Sequence, residues 1–343
     1  MRYTSNSHTP TPRAFLPSRA SAAALALCAA SLLHADPARA QSSVTFNGLV
    51  DLSIGSTRAA GSKHATSNVS SGSLTTSWYG IKGIEDLGGG WAAIFQLEAF
   101  FRADDGEQGR YAGDAFWSRS SFVGISNPNW GRLTFGRNAT SLFSNSVLFN
   151  AVEGSFGYSP TIRHYFRSGT VTGDSVWNDS IVYISPSMSG FTFNASASLP
   201  EGSGGRKVGA GATYMRSGFG LGATWQKARN GATGQDTETW QLSTSYDFGV
   251  AKLFAQTGRV NNQSTRNRFD IHGMGLSVPL GPGRVFAQYG VLLDAAAADR
   301  RTVTLGYNHF LSKRTDVYVA GMSDRVDGLS SGRSFALGLR HRF

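Results

Sequence analysis

Beyond residue 40 no stretch of this chain approaches 18 consecutive apolar residues, yet apolar and polar side chains alternate from Val44 to Phe343. A spanning helix needs ~20 apolar residues in a row. A strand of alternating character can cross a bilayer only in a closed barrel, where each backbone N–H and C=O finds a partner and one face meets lipid. Val44, Phe46, Gly48, Val50, Leu52 and Ile54 take every second position of one segment, with Thr45, Asn47, Asp51 and Ser53 between them. The same period appears in Trp91 to Phe101, Phe191 to Leu199, Trp240 to Phe248, Val285 to Leu293, Val303 to Tyr307 and Phe335 to Phe343. No helical stripe of comparable length is visible, so the expected class is all-β, a transmembrane antiparallel β-barrel.

The first forty residues read differently. Arg2, Arg13 and Arg19 precede the uncharged stretch Ser21 to Leu33, and Ala38-Arg39-Ala40 closes it, the layout of a secretory signal peptide cut after Ala40. The expected organisation is therefore 1–40 signal peptide and 41–343 barrel domain. Removing Arg2, Arg13, Arg19, Arg39 and Asp36 from totals of 32 basic and 22 acidic residues leaves 28 against 21. Cys28 leaves with that segment, so a disulfide-stapled fold or thiolate metal site is excluded from the exported chain. Leu27 stands where a lipidated cysteine would need a small neighbour, which argues against a lipoprotein. All 42 glycines remain. That is about 14% of the mature chain, twice the average, with no collagen period, so glycine serves turns or crowded strand positions.

Connections alternate in length. Glu85 to Gly90, Asn127 to Gly131, Pro186 to Gly190, Asp247 to Gly249, Pro279 to Gly283 and Leu311 to Arg314 are short turns. Thr57 to Ser73, Ala103 to Ala115, Glu201 to Lys207, Ala228 to Thr237, Asn261 to Arg268 and Asp324 to Arg333 are long polar loops. Short turns on one rim and long loops on the other characterise outer-membrane barrels. Strand cores are expected at 43–55, 75–84, 91–102, 116–126, 131–137, 179–186, 191–199, 207–216, 220–228, 238–248, 250–260, 269–278, 284–293, 300–310, 315–323 and 333–343, about sixteen. One connection, 138–178, runs for about forty residues without sustained alternation. Leu142, Phe143, Val147, Leu148, Phe149, Phe156, Tyr158, Tyr165 and Phe166 make it too apolar for disorder, so it should pack on something. Folding inward onto the barrel wall is preferred to capping from outside.

Several blocks resemble the general diffusion porins of Gram-negative bacteria, in their beta-proteobacterial form. They are Ser43 to Asp51, Gly83 to Trp91 with Ala93 to Glu98, Phe122 to Ser126, Leu133 to Arg137, Tyr246 to Ala255, Leu311 to Asp316 and Gly338 to Phe343. The resemblance covers essentially the whole mature chain. It implies a sixteen-stranded barrel in the outer membrane that forms homotrimers, with the third long loop, 138–178, folded into the lumen. It implies passive diffusion of small hydrophilic solutes, often anions. It also implies that Phe343 is the terminal aromatic read by the outer-membrane assembly machinery. The sequence departs from the pattern at Val182, where relatives often carry a basic residue.

A pore selects through the charges at its narrowest part, where low-dielectric walls focus the field. If Tyr79 and Ile81 face lipid, Lys82 faces the lumen; if Phe122 and Gly124 face lipid, Arg119 faces the lumen too. Arg137 joins them through the resemblance. Glu153 and Asp174 on the loop are the expected opposing acids of a transverse field. The plainer reading of each arginine is a local ion pair or a rim contact with lipopolysaccharide phosphate. The set favours a pore, because a lipid-facing arginine costs ~2–4 kcal/mol at the membrane midplane. Trp78, Trp91, Trp130, Phe248, Tyr307, Phe310 and Phe343 read as interfacial girdles, with a sugar slide as the alternative. No cofactor or metal is expected. His64, His164, His272, His309 and His341 are scattered, and neither His-Glu-x-x-His nor Gly-x-Ser-x-Gly occurs, so an enzyme is not expected. A barrel hydrolase built from separate strands and a surface adhesin are the alternatives. Spread-out charges and export argue against nucleic acid.

Overall fold

The computed structural model describes residues 42–167, 174–201, 205–231 and 234–343. The expected signal segment 1–40 and the mature start at Gln41 lie outside the described residues, as does part of the long loop. Among the described residues the strands are β1 (Ser43–Arg58), β2 (Thr66–Ser71), β3 (Trp78–Gly88), β4 (Trp91–Phe100), β5 (Ser120–Asn127), β6 (Gly131–Ala139), β7 (Val176–Ile184), β8 (Phe191–Ser198) and β9 (Lys207–Arg216). They continue with β10 (Phe219–Ala228), β11 (Thr237–Asp247), β12 (Lys252–Asn262), β13 (Asn267–Leu280), β14 (Gly283–Asp294), β15 (Arg300–Phe310), β16 (Thr315–Val326) and β17 (Gly332–Arg342).

From β3 onward each strand pairs antiparallel with the next, and β17 returns to β1 from Leu49↔Arg342 to Arg58↔Arg333. The sheet thus closes on itself and leaves no edge. On its other side β1 takes β3 along Ser43–Leu49 and β2 along Leu52–Thr57, so β2 and β3 are two halves of one stave. The barrel therefore has sixteen staves, as the alternation predicts. The second differs from expectation: part of the loop expected at 57–73 is strand, and the stave breaks over residues 72–77 instead of starting at 75. Asp51 causes the break. Its Oδ2 accepts the backbone N–H of Leu74 at 2.9 Å and of Thr75 at 2.6 Å, while its Oδ1 accepts the Tyr318 hydroxyl at 2.6 Å. A carboxylate that captures two backbone donors removes them from the ladder. The fourth expected strand is shorter, beginning at Ser120, and the fifth and sixth reach Ala139 and start at Val176.

Burial along β11 shows which way the wall faces. Thr239, Gln241 and Ser243 are 0%, 0% and 3% exposed, whereas Trp240 and Leu242 are 37% and 49% exposed. Such an inverted alternation would be unstable in water; it suits a wall whose apolar side meets lipid. The chain end lies on that apolar side. Phe343 exchanges backbone hydrogen bonds with Gly48 at 3.1 Å in each direction, and its ring lies over Gly48, where a Cβ would collide with it. At the β3–β4 turn Gly88, Gly89 and Gly90 have φ of 81°, 60° and 80°, which side chains resist.

Between β6 and β7 the chain forms two short helices, which the all-β expectation did not include: α1 (Ser141–Leu148) and α2 (Pro160–Phe166). The Thr140 hydroxyl accepts from Phe143 N at 3.1 Å and caps α1; Ser159 caps α2, with Pro160 in its first turn. Each cap contributes ~1 kcal/mol. The segment packs on the polar face of the wall. Asn145 donates to Gln241 Oε1 at 2.7 Å and to Ser243 at 3.0 Å, Gln256 donates to the Ser146 carbonyl at 3.0 Å, and Thr304 donates to the Tyr158 carbonyl at 2.6 Å. Glycines make room for it: a Cβ at Gly222 would meet Asn145 and Phe149, at Gly258 the Tyr165 hydroxyl, at Gly273 Thr161 and at Gly290 Pro160. Where this segment docks, the polar face turns apolar. Tyr165 and Leu142 bury against Val260, Phe269, Ile271 and Leu292, and Val152 and Tyr158 against Leu74, Phe286, Tyr318 and Met322.

Candidate functional site

A cavity of about 820 Å³ opens beside the docked segment. Arg58, Arg102, Arg110, Arg163, Arg167 and Arg300 line it, with Asp104 and Asp324 as the acidic lining residues. Their placement follows from the elements. Arg58 ends β1 and Arg300 begins β15, Arg102 and Arg110 lie in the connection between β4 and β5, and Arg163 and Arg167 ride on α2 and its C-cap.

These cations differ in how far they are compensated. Arg102 pairs with Asp105 at 2.9 Å and Arg110 with Asp114 at 2.8 Å. Asp324 is shared: Arg300 holds it through two nitrogens, Arg163 reaches it at 3.4 Å, and Thr302 donates to it at 3.0 Å. Arg58 and Arg167 have no carboxylate partner among the described residues; their guanidinium groups donate to the carbonyls of Ser331 at 3.1 Å and Phe156 at 2.9 Å. Burial pushes the Arg163 pKa down to about 10, with the neighbouring Arg167 charge adding to the shift, even though Asp324 opposes it. Burial and then the Arg300 charge lower Arg167 in the same way. His164, on the wall side of α2, is pushed down to about 3, first by burial and then by Arg300, and is neutral at physiological pH. Its Nε2 lies 3.0 Å from Thr302 Oγ1. The lining is thus a surplus of positive charge around open space.

The five site residues expected from sequence lie elsewhere. Lys82 is exposed, on the same face as Trp78 and Gly80, opposite Thr45 and Gln96. Arg119 precedes β5; it pairs with the buried Glu98 and lies 4.1 Å from the centre of the Trp78 ring. Val123 and Ile125 are the exposed residues of β5, so Phe122 and Gly124 do not face lipid as assumed. Trp78, expected in a girdle, is instead the platform under Arg119. Arg137 sits at a register shift of β6, held by the Ser118 carbonyl and Asn178. Glu153 meets Arg284 at 2.5 Å and Arg340 at 3.5 Å, and Asp174 meets Lys207 at 3.2 Å. Neither acid faces Lys82, Arg119 or Arg137 in an ion pair. Val182 is buried beside Thr134. Sequence reasoning missed Arg58 and Arg300, which sit at strand ends where parity loses meaning, and Arg102 and Arg110, which lie in a polar loop without periodicity. A second hollow of about 900 Å³, lined by Val285, Val303, Leu305 and Phe335 among others, lies by the exposed apolar face.

A sequence model of the Gram-negative porin family matches residues 21–329. The chain belongs to the Gram-negative porins. It is 32% identical over 319 residues to outer membrane porin protein 32 of Delftia acidovorans, with 86% of each chain covered. An outer membrane porin protein of Bordetella pertussis is 27% identical, with 92% of this chain and 99% of the relative covered. Among solved structures, an anion-selective porin from Comamonas acidovorans superimposes with a TM-score of 0.78 at 25% identity, over 88% of this chain and 100% of that one. A trimer form of OmpT from Vibrio cholerae shares the fold, with a TM-score of 0.67 at 15% identity over 88% of this chain and 99% of that one. This porin is an outer-membrane protein, and its barrel is a channel for passive diffusion of small hydrophilic solutes and ions. Membership points to a channel and away from an enzyme.

Proposed function

We propose that the α1–α2 segment folds into the lumen, that the arginine-lined cavity is the narrow part of the pore, and that anions pass it in preference to cations. The observation that carries this reading is the charge surplus of the cavity lining: six arginines against two aspartates, and of the arginines Arg58 and Arg167 have no carboxylate partner among the described residues. Cations held by low-dielectric walls lower the barrier for an anion and raise it for a cation. The solved anion-selective relative supports the same sign. Residues 1–40 serve as the export signal, and Phe343 presents the terminal aromatic to the assembly machinery. The porin works as a homotrimer embedded in lipid, and basic residues on its long loops meet lipopolysaccharide phosphates.

The test is the reversal potential of the purified trimer in a potassium chloride gradient across a planar bilayer. The potential should carry the sign of chloride preference; a potassium-selective potential would overturn the reading. The loop's place is tested separately with Gly273→Leu. Leucine has no room beside Thr161, and the overpacking, roughly 1–3 kcal/mol, should loosen the docked segment and increase single-channel conductance. Unchanged conductance in an assembled variant would move the segment out of the solute path.

A further inference from the structure

The docked segment has two kinds of aromatic residue. Phe149 and Tyr165 are fully buried against the wall, as are Leu142 and Ile162. Phe143, Phe156 and Phe166 are only half-buried and pack on one another: Phe143 stacks on Phe156 at 5.7 Å between ring centres and meets Phe166 edge-on at 5.3 Å. Phe156 and Phe166 line the open cavity. Arg167, next in sequence after Phe166, donates to the Phe156 carbonyl at 2.9 Å and has no carboxylate partner among the described residues. A guanidinium with no carboxylate partner among the described residues is therefore tied to the backbone of one of the two phenylalanines that line the cavity.

We propose, resting on the anion-preferring reading above, that this juxtaposition of Phe156 and Phe166 with Arg167 is a subsite for aromatic carboxylates, which the channel takes in preference to aliphatic carboxylates of similar charge. A small aliphatic anion uses the arginines alone. An aromatic carboxylate also removes its own ring and the two phenylalanine faces from water, and offset or edge-on ring contacts add to that burial. Neutral aromatic molecules gain the ring contact and lose the guanidinium. The two halves select together for a ring bearing a carboxylate. A solely structural role for the three rings, clipping α1 to α2, makes no distinction among passing anions, and the test separates the two.

The measurement is chloride current through the wild-type trimer in a planar bilayer at pH 8, where benzoate and acetate are both ionised, with benzoate, acetate or benzyl alcohol added. Benzoate should reduce the current at concentrations about three- to tenfold below those needed with acetate, the span that an aromatic contact corresponds to. Benzyl alcohol should be far weaker than benzoate. In the assembled double variant Phe156→Leu, Phe166→Leu, which keeps apolar packing, the benzoate-to-acetate difference should fall by the same factor. Equal potency of benzoate and acetate in the wild type overturns the inference, as does benzyl alcohol matching benzoate or a variant that keeps the full difference. Should the variant fail to assemble, the wild-type comparison decides alone. The reversal potential distinguishes the two levels: potassium preference defeats the anion reading itself, whereas chloride preference with indifferent benzoate defeats only this subsite.

Discussion

Two clusters of charge lie on the polar side of this barrel, and they are built in opposite ways. Near the β16–β17–β1 seam, Glu153 and Asp316 pair with Arg284, Arg340 and Arg342, and Asp51 adds its charge near Arg340, so carboxylates and guanidiniums are matched. Asp316 and Arg340 are 1% and 2% exposed, and Asn308 and Thr75 supply further hydrogen bonds at 2.8 Å each. Around the cavity Arg163 and Arg300 share Asp324, while Arg58 and Arg167 have no carboxylate partner among the described residues. A matched buried cluster cancels its own field and fixes the geometry of the wall, whereas an unmatched one facing open space projects a field that a passing ion feels. Counting arginines on a polar face therefore does not measure the field they project into open space; counting the uncompensated ones does.

The contrast between the clusters is broken most severely at Arg340. Arg340→Met should leave the buried Asp316 without its buried cation, with only the partly exposed Arg342 remaining, and cost roughly 3–5 kcal/mol. Heat-modifiable gel mobility reads this as a lower transition temperature, while Arg167→Met should leave that temperature nearly unchanged. Equal transitions in the two variants would erase the distinction.

A smaller effect is expected from His164, the neutral ring buried behind the open cluster. Its folded pKa, about 3, lies below the ~6.5 of an unfolded histidine. The unfolded chain therefore binds a proton that the folded chain refuses. This contribution to stability is complete above pH ~6.5 and declines as pH falls towards 3, by about 2 kcal/mol at pH 5. His164→Gln should flatten the acid side of the stability profile; a profile that keeps its slope would show that other groups cause it.

The smallest effect, and the one that sharpens the contrast most, is on selectivity. Arg58→Glu with Arg167→Glu should lower the chloride-to-potassium permeability ratio about tenfold at low salt, and less at 1 M, where screening acts within ~3 Å. Arg119→Glu with Arg137→Glu is the companion experiment, since those cations already have local partners in Glu98 and Asn178. A greater loss from the second pair than from the first would return the field to the residues that strand parity and the family resemblance suggested.

Much of this was legible in the residues. The β11 segment Trp240 to Phe248 gave its period, its outward side and its turn, because an alternating strand in a one-layer wall has only two faces to choose between. Glycine enrichment pointed to crowding but not to its partner, since nothing local in Gly273 or Gly290 announces that Thr161 and Pro160 will dock there. The helices α1 and α2 went unseen because eight and seven residues are too few for a helical stripe, although Thr140 and the pair Ser159-Pro160 were readable caps. The parity argument for Arg119 started from the wrong face, since Val123 and Ile125 are the exposed positions of β5 and not Phe122 and Gly124, and Arg119 itself precedes the strand.

By itself, the sequence determined the membrane-spanning class, the sixteen staves, the rim with short turns and the presence of one anomalous apolar loop. All of these follow from short-range periodicity and from the requirement that backbone polar groups in lipid be paired. Only the tertiary structure decided which charges are spent on one another. Whether Arg340 or Arg167 is compensated depends on carboxylates 24 or more residues away in one case and on the lack of a carboxylate partner among the described residues in the other. Electrostatic surplus is a property of distances in space, and no local pattern of residues encodes it.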